Sequence, residues 1–265
     1  KRRIDSGPAL YYTRAKVATV YTTNPVLDQG FIPGDAAVES VAVIPGADGA
    51  GQVQNSEDRD EVWLIVKRTI NGATKRYIEV LERDFEAGDD QEDAYYADSI
   101  ITYDSTAATS ITGLDHLEGE TVKVLADGAI ADDAVVTSGA ITLDAAASVV
   151  QVGLGYTHRG RTLKIEAGAA AGTALGKKKT VKGVTFIVVD SATLSFGPDS
   201  DNLQDVDFRV VSDAMDSPAP LFTGERFCEF ETGWAEDIRI NYESDDPVPF
   251  MLIAMAPEII VNDTK

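Results

Sequence analysis

Cysteine and histidine are nearly missing: the 265 residues hold one cysteine and two histidines. A lone Cys228 excludes an internal disulfide and any cysteine-based zinc cluster. Within "RFCEFE", next to Phe227 and close to Phe230, it reads as a small buried side chain rather than a reactive thiol. Long apolar runs are missing as well. None approaches the ~18 residues that a membrane span needs, and the densest, "FMLIAMAP", is only strand-length. A soluble protein with no membrane anchor is therefore expected. No signal-peptide pattern leads the chain, and its start at Lys-Arg-Arg without Met reads as a piece of a longer polypeptide.

Basic side chains are scarce. Lys plus Arg number 23 against 44 for Asp plus Glu, a formal net charge of -21. Such a chain repels phosphates and does not wrap DNA as its main partner. Two readings remain: a highly soluble surface, or a wall past which nucleic acid slides without sticking.

Strand signals dominate what is present. In "DEVWLIVKRTINGATKRYIEVLE" two apolar β-branched runs flank Asn71-Gly72, a dipeptide suited to a two-residue type I′ hairpin turn. Closing the hairpin there pairs Ile70 with Ala73, Ile65 with Ile78 and Trp63 with Val80, an apolar base that belongs in a core. Nearer the tip, Lys67 falls opposite Arg76 and Arg68 opposite Lys75. Like charges across a pair are unfavourable, so the tip is expected to project into water or to meet an anionic neighbour. Such a neighbour exists in sequence: from Glu82 to Asp104 there are nine acids and one base, Arg83. In a ring of identical copies, the tip of one subunit would face this stretch on the next.

From about Thr106 to Gly176, short runs such as "TVKVLADG", "AVVTSGAITLDA" and "SVVQVGLGY" are punctuated by Gly and Asp. Val122 with Val124, Ile141 with Leu143, and Val150 with Val152 alternate as apolar positions, which reads as a small β-barrel or sandwich of five or six strands. "EAGAAAGTALGKKKT" reads as a loop, with Lys177 to Lys179 a solvated lead into a strand. Longer strands follow. Ile238, Ile240 and Tyr242 alternate with polar residues, and "PFMLIAMAPEIIV" is apolar at nearly every position, so a central strand is expected there. The fold class is thus all-β: a propeller-like or sandwich core of residues 1–105 and 177–265, with an inserted small β module over 106–176.

Candidates for chemistry are few. "GLDHLEGE" sets His116 among Asp115, Glu118 and Glu120, the residue types of a general base or metal site. Adjacent residues project to opposite sides of a strand, and Gly113 and Gly119 bracket the segment, so a structural turn or interface is the stronger reading. His158, in "YTHRGR", has basic neighbours that oppose a cation. "GPDSDNLQD" has calcium-loop aspartates at Asp199 and Asp201, but Gln204 stands where glycine is needed and Val210 where the bidentate Glu belongs. There is no Gly-x-Ser-x-Gly, no phosphate-binding loop and no dinucleotide motif. Trp63 reads as hairpin core and Trp234 as a turn anchor. No catalytic, cofactor-binding or metal-binding residue is assigned.

The succession "VESVAVIPG", the Asn71-Gly72 hairpin, "ITGLDHLEGETVKVLADGAI", "SGAITLDAAASVVQVGLGY", "FGPDSDNL", "PLFTGE" and "DPVPFMLIAMAPEI" resembles the C-terminal portion of the tail nozzle proteins of short-tailed bacteriophages. These are also called tail tubular protein B or packaged-DNA stabilisation proteins. The likeness runs from Val38 to Ile259. "GAGQVQNSEDRD" looks like an insertion before the hairpin, and "VGLGYTHRGR" carries a Gly where relatives often carry Pro. The resemblance implies a non-enzymatic virion protein, made in the host cytoplasm and assembled as a hexameric ring beside portal, adaptor and tail fibre or spike proteins. Packaged DNA would pass through it without tight binding. The competing readings are a host-surface carbohydrate-binding or adhesion module and a tail-associated glycan hydrolase.

Overall fold

The computed structural model describes residues 12–15, 37–44, 61–81, 85, 89–166, 173–214, 217–230 and 232–262. The lysine and arginines at the start, the "GAGQVQNSEDRD" segment and parts of the acidic stretch after Glu82 lie outside these residues. The protein is all-β: among the described residues the helical structure is two three-residue 3-10 turns, and no sheet closes into a barrel. No helix among them is long and apolar enough to cross a membrane.

Among the described residues the first sheet has eight strands: β1 (Tyr12–Ala15), β2 (Ala37–Ile44), β3 (Glu61–Ile70), β4 (Ala73–Leu81), β5 (Asp98–Thr112), β6 (Thr121–Ala126), β7 (Ala129–Val135) and β8 (Ala140–Leu154). Their order is β2-β3-β4-β1-β5-β8-β6-β7, and β1 lies parallel to β4 while touching β5 at Arg14↔Ile100. Asn71 (φ 47°) and Gly72 (φ 71°) turn the chain between β3 and β4 with the two positive φ values of a type I′ turn. The expected register follows: Ile70↔Ala73, Arg68↔Lys75, Lys67↔Arg76, Ile65↔Ile78 and Trp63↔Val80. Asp127-Gly128 and Ser138-Gly139 repeat the same two-residue chemistry further on.

Alternation decides which residues of the hairpin are buried, and it overturns part of the expectation. Leu64, Val66, Arg68 and Ile70 form the inward face, whereas Ile65 and Ile78 remain 40% exposed and Trp63 half-buried. A strand's side chains have period two, so one apolar row turns inward and the next outward. Arg68 falls on the inward row and is 1% exposed, so that part of the tip does not project into water.

Ile70 packs into the core of β5, β6 and β8, with Ile111, Leu114, Leu117, Val122, Val124, Ile141, Leu143, Val150 and Val152. The alternating valines and isoleucines of this region thus share one apolar layer, built on the four antiparallel strands β5-β8-β6-β7.

The remaining strands are β9 (His158–Arg161), β10 (Lys179–Ser191), β11 (Ser195–Gly197), β12 (Gln204–Asp205), β13 (Phe222–Glu229), β14 (Asn241–Ser244) and β15 (Met251–Val261). They form two sheets, β13-β10-β15 and β12-β11-β14-β9, that share a core of Val184, Phe186, Val188, Phe196, Phe230, Ile238 and Ile240. Phe186, Phe196 and Phe230 stack edge-on and tilted at 4.8 and 5.3 Å between ring centroids. The inserted-module range contains β9, and β9 pairs with β14 of this second core.

β15 is not central. It is an edge strand, with β10 in the middle of its sheet. Leu252, Met255 and Ile259 pack on the core, while Met251, Ile253 and Ile260 are open on the other side. A continuous apolar run marks burial on two faces only when something covers both. Pro257, which has no N–H for a ladder bond, is the sequence signal for an edge. Lys179 also differs from expectation: it is fully buried at the start of β10, and its Nζ donates to Glu166 and to the carbonyls of Ala174 and Lys177. Lys178 is exposed.

Candidate functional site

"GLDHLEGE" folds as a 3-10 turn, Asp115–Leu117, that drops Leu114, His116 and Leu117 inward and leaves Asp115 exposed. Two of its acids bind backbone rather than each other. Glu118 accepts the N–H groups of Ser138 and Gly139 at 2.9 and 2.7 Å, and these bonds, that of Gly139 first, hold its carboxyl below the usual range. Glu120 accepts the N–H of Asn71 at 2.6 Å. The Tyr77 hydroxyl donates to the carbonyl of His116 at 2.6 Å, and the two rings meet edge-on with centroids 5.9 Å apart. The turn is thus the seat on which the β3–β4 hairpin tip rests.

Below that seat lies a buried ionic cluster. Arg68, Glu79, Asp98 and Ser99 are at most 2% exposed, and His116 is nearly so. Arg68 and Glu79 lie on the inward face of the hairpin, since Glu79 is opposite Leu64. The guanidinium grips Glu79 with two parallel bonds, Nε to Oε1 and Nη2 to Oε2, both 2.8 Å, the fork geometry that suits arginine. The Ser99 hydroxyl donates to the same Glu79 Oε1 at 2.8 Å. Asp98 Oδ2 stands 3.3 Å from Arg68 Nη2, a looser contact than either bond to Glu79, and among the described residues Arg68 Nη1 has no hydrogen-bond partner.

Two carboxylates around one guanidinium have a physical consequence. Burial, opposed by the nearby Arg68 and reinforced by Glu79, raises the Asp98 carboxyl to about 7. Burial likewise lowers His116, whose Nε2 lies 3.3 Å from the Ser99 carbonyl, so its imidazole is neutral at physiological pH. Sequence reasoning placed Asp98 in an acidic stretch facing basic hairpin residues. The contact exists, but inside one chain. A further ion pair of the hairpin, Arg76 Nε to Glu39 at 2.6 Å, is solvent-exposed. No local pattern signals that Arg68 is buried, although its place on the Leu64-Val66-Ile70 row marks it in retrospect.

The remaining candidates lie apart from this cluster. His158 is half-buried against the Tyr156 ring, with centroids 4.6 Å apart, and burial lowers its pKa. Asp199 Oδ1 accepts from Asp201 N and Asn202 Nδ2, which makes the calcium-like stretch a self-bonded turn. Cys228 packs against the second core, and burial raises its thiol. Trp234, read as a turn anchor, is 53% exposed. Among the described residues no three His, Cys, Asp or Glu side chains are grouped to hold a metal ion.

A cleft of about 240 Å³ opens beside β9 and β14, lined by Arg159, Arg161, Ser200, Leu203, Asn241 and Glu243. Two of its polar arms are engaged internally: Arg159 pairs with Glu243 at 3.3 Å, and Asn241 Nδ2 donates to Pro198 O at 2.7 Å. The cleft is the space beneath the Pro198–Leu203 turn, which folds over Gly197 where a Cβ would strike the Asn202 carbonyl.

No protein-family model and no curated protein matches the chain. Within the chain, the segment richest in apparent acid-base chemistry is a brace. Its histidine is buried, its turn carbonyl receives a tyrosine hydroxyl, and two of its acids hold backbone amides.

Proposed function

We propose that the chain is a structural segment of a short-tailed phage tail, part of an oligomeric nozzle that retains packaged DNA and conducts it during ejection. The observation that carries this reading is the bracing itself. The hairpin and the "GLDHLEGE" turn, two of the segments that resemble nozzle proteins, lock together through Asn71–Glu120 and Tyr77–His116. A conduit needs such rigidity and little affinity for its cargo. The net charge of -21 suits the second need, because exposed carboxylates repel phosphates over about 10 Å at moderate salt.

Exposed apolar side chains support an assembly. Phe227, Met251, Ile253 and Ile260 of β13 and β15 are between 42% and 58% exposed, an area that favours cover by a neighbour. In this reading the ring is hexameric, joins portal and adaptor above and fibre or spike proteins below, and performs no catalysis. The full-length protein tests it. Electron microscopy is expected to show closed rings with an axial pore, and antibodies to this chain are expected to label the tail of intact particles. Particles without the label, or a protein that stays monomeric, sink the reading. Neutralising lumen-facing acids is expected to slow genome ejection.

A further inference from the structure

Asp98 and Ser99 begin β5, where the strand leaves the β3–β4 side of the first sheet to pair with β8. The corner is irregular. Asp98 pairs with Leu154 but the next partners are Ile101 and Val152, a register shift, and Ser99 holds φ at 53°. A non-glycine residue in that region stores on the order of 1 kcal/mol or more, and it persists only when its surroundings fix it. What fixes it is the ionic cluster: the Ser99 hydroxyl bonds Glu79, and Asp98 abuts the guanidinium that holds Glu79.

The charges at this corner do not balance when every carboxyl is ionised. One guanidinium faces two carboxylates, all at most 2% exposed. Uncompensated charge in a dry site is strongly unfavourable, and the group takes up a proton instead. Among the described side chains no second cation faces Asp98, and β1, which runs between β4 and β5, carries Arg14 in register with Val80 rather than with Glu79. β3 contributes Arg68 and β4 contributes Glu79 and the neutral phenol of Tyr77, whose own ionisation burial disfavours. The 3-10 turn contributes His116, held neutral by burial, and the more distant carboxylates of Asp115 and Glu120 only add negative charge.

We propose that the Arg68–Glu79–Asp98 cluster is a proton-operated latch between the hairpin and the corner of β5, closed while Asp98 carries a proton and loosened when it does not. With the proton, the cluster holds one cation and one anion in bidentate contact, and Ser99 stays in its strained conformation. Without it, a buried negative charge is relieved by admitting water or by letting the corner relax. The Asp98 carboxyl, raised to about 7, places the change in the neutral range.

The sign follows from linkage. The group binds its proton more tightly closed than open, so opening becomes easier as pH rises from the ordinary aspartate range toward 7 and levels off above it. Between pH 6 and 8 the opening equilibrium is expected to rise about tenfold.

Hydrogen exchange of the whole chain, corrected for the intrinsic effect of pH, reads this directly at Val66–Ile70 and Ile100–Ile101. Protection there is expected to fall about tenfold over that range, while the β10–β13 ladder stays unchanged. Asp98→Asn is expected to remove the dependence. In the unaltered protein, the carboxyl carbon of Asp98 followed by NMR is expected to titrate near 7, a result that stands even if the variant folds poorly. An Asp98 carboxyl that titrates below pH 5, or protection that does not change with pH, overturns the latch.

Discussion

The carboxylate of Glu120 receives the backbone N–H of Asn71 at 2.6 Å, joining two turns that lie 49 residues apart. The bond secures an amide at the head of a hairpin that would otherwise rely on water. Glu120→Ala is expected to lower stability by about 1 kcal/mol, as for a partly exposed charge-assisted bond, and to speed amide exchange at the turn. Urea unfolding with exchange at Asn71 and Gly72 checks both.

Removing the centre of the ionic cluster is far more damaging than removing its rim. Arg68→Met leaves Glu79 and Asp98 buried without a cation, and a loss of roughly 3–5 kcal/mol is expected. Replacing the group together, Arg68→Met with Glu79→Leu and Asp98→Asn, is expected to recover most of that loss, because the desolvation cost leaves with the charges. Denaturant midpoints for the single and combined variants decide it.

Histidine works against Asp98 in the pH profile. Burial lowers the pKa of His116 from 6.5, so the unfolded chain binds the proton more readily. Its contribution to stability is complete above about pH 6.5 and is lost as pH falls through the lowered value. His116→Gln is therefore expected to lose less stability than the unaltered protein between pH 7 and 5. Urea midpoints at the two pH values are the measurement.

Gly139 is fixed by space as well as by conformation. It holds φ at 68°, and a Cβ there would run into the Asp115 carboxylate. Gly139→Ala is expected to cost roughly 1–2 kcal/mol from the backbone alone, while the same change at the more open Gly72 costs only the backbone part. Thermal unfolding of the two variants separates the contributions.

The all-β class and the hairpin register were legible because both rest on local rules: period-two alternation and the preference of Asn-Gly for paired positive φ values. The alternating valines of β6 and β8 were legible for the same reason. Exposure was not. Ile65 and Ile78 pair as expected yet face outward, since a local pattern fixes which residues share a face but not which face is covered. Arg68 looked like a surface charge because its partners, Glu79 on the next strand and Asp98 beyond it, become neighbours only after folding. His116 read correctly as part of a turn, although the tyrosine that seats it lies 39 residues away.

Pro257 sits in the exposed apolar strand β15, beside Glu258. A long oily edge of this kind is a template on which further strands add without limit, and a residue lacking an N–H leaves a gap in that template. Before any partner arrives, newly made copies can therefore accumulate with less risk of zipping into fibres.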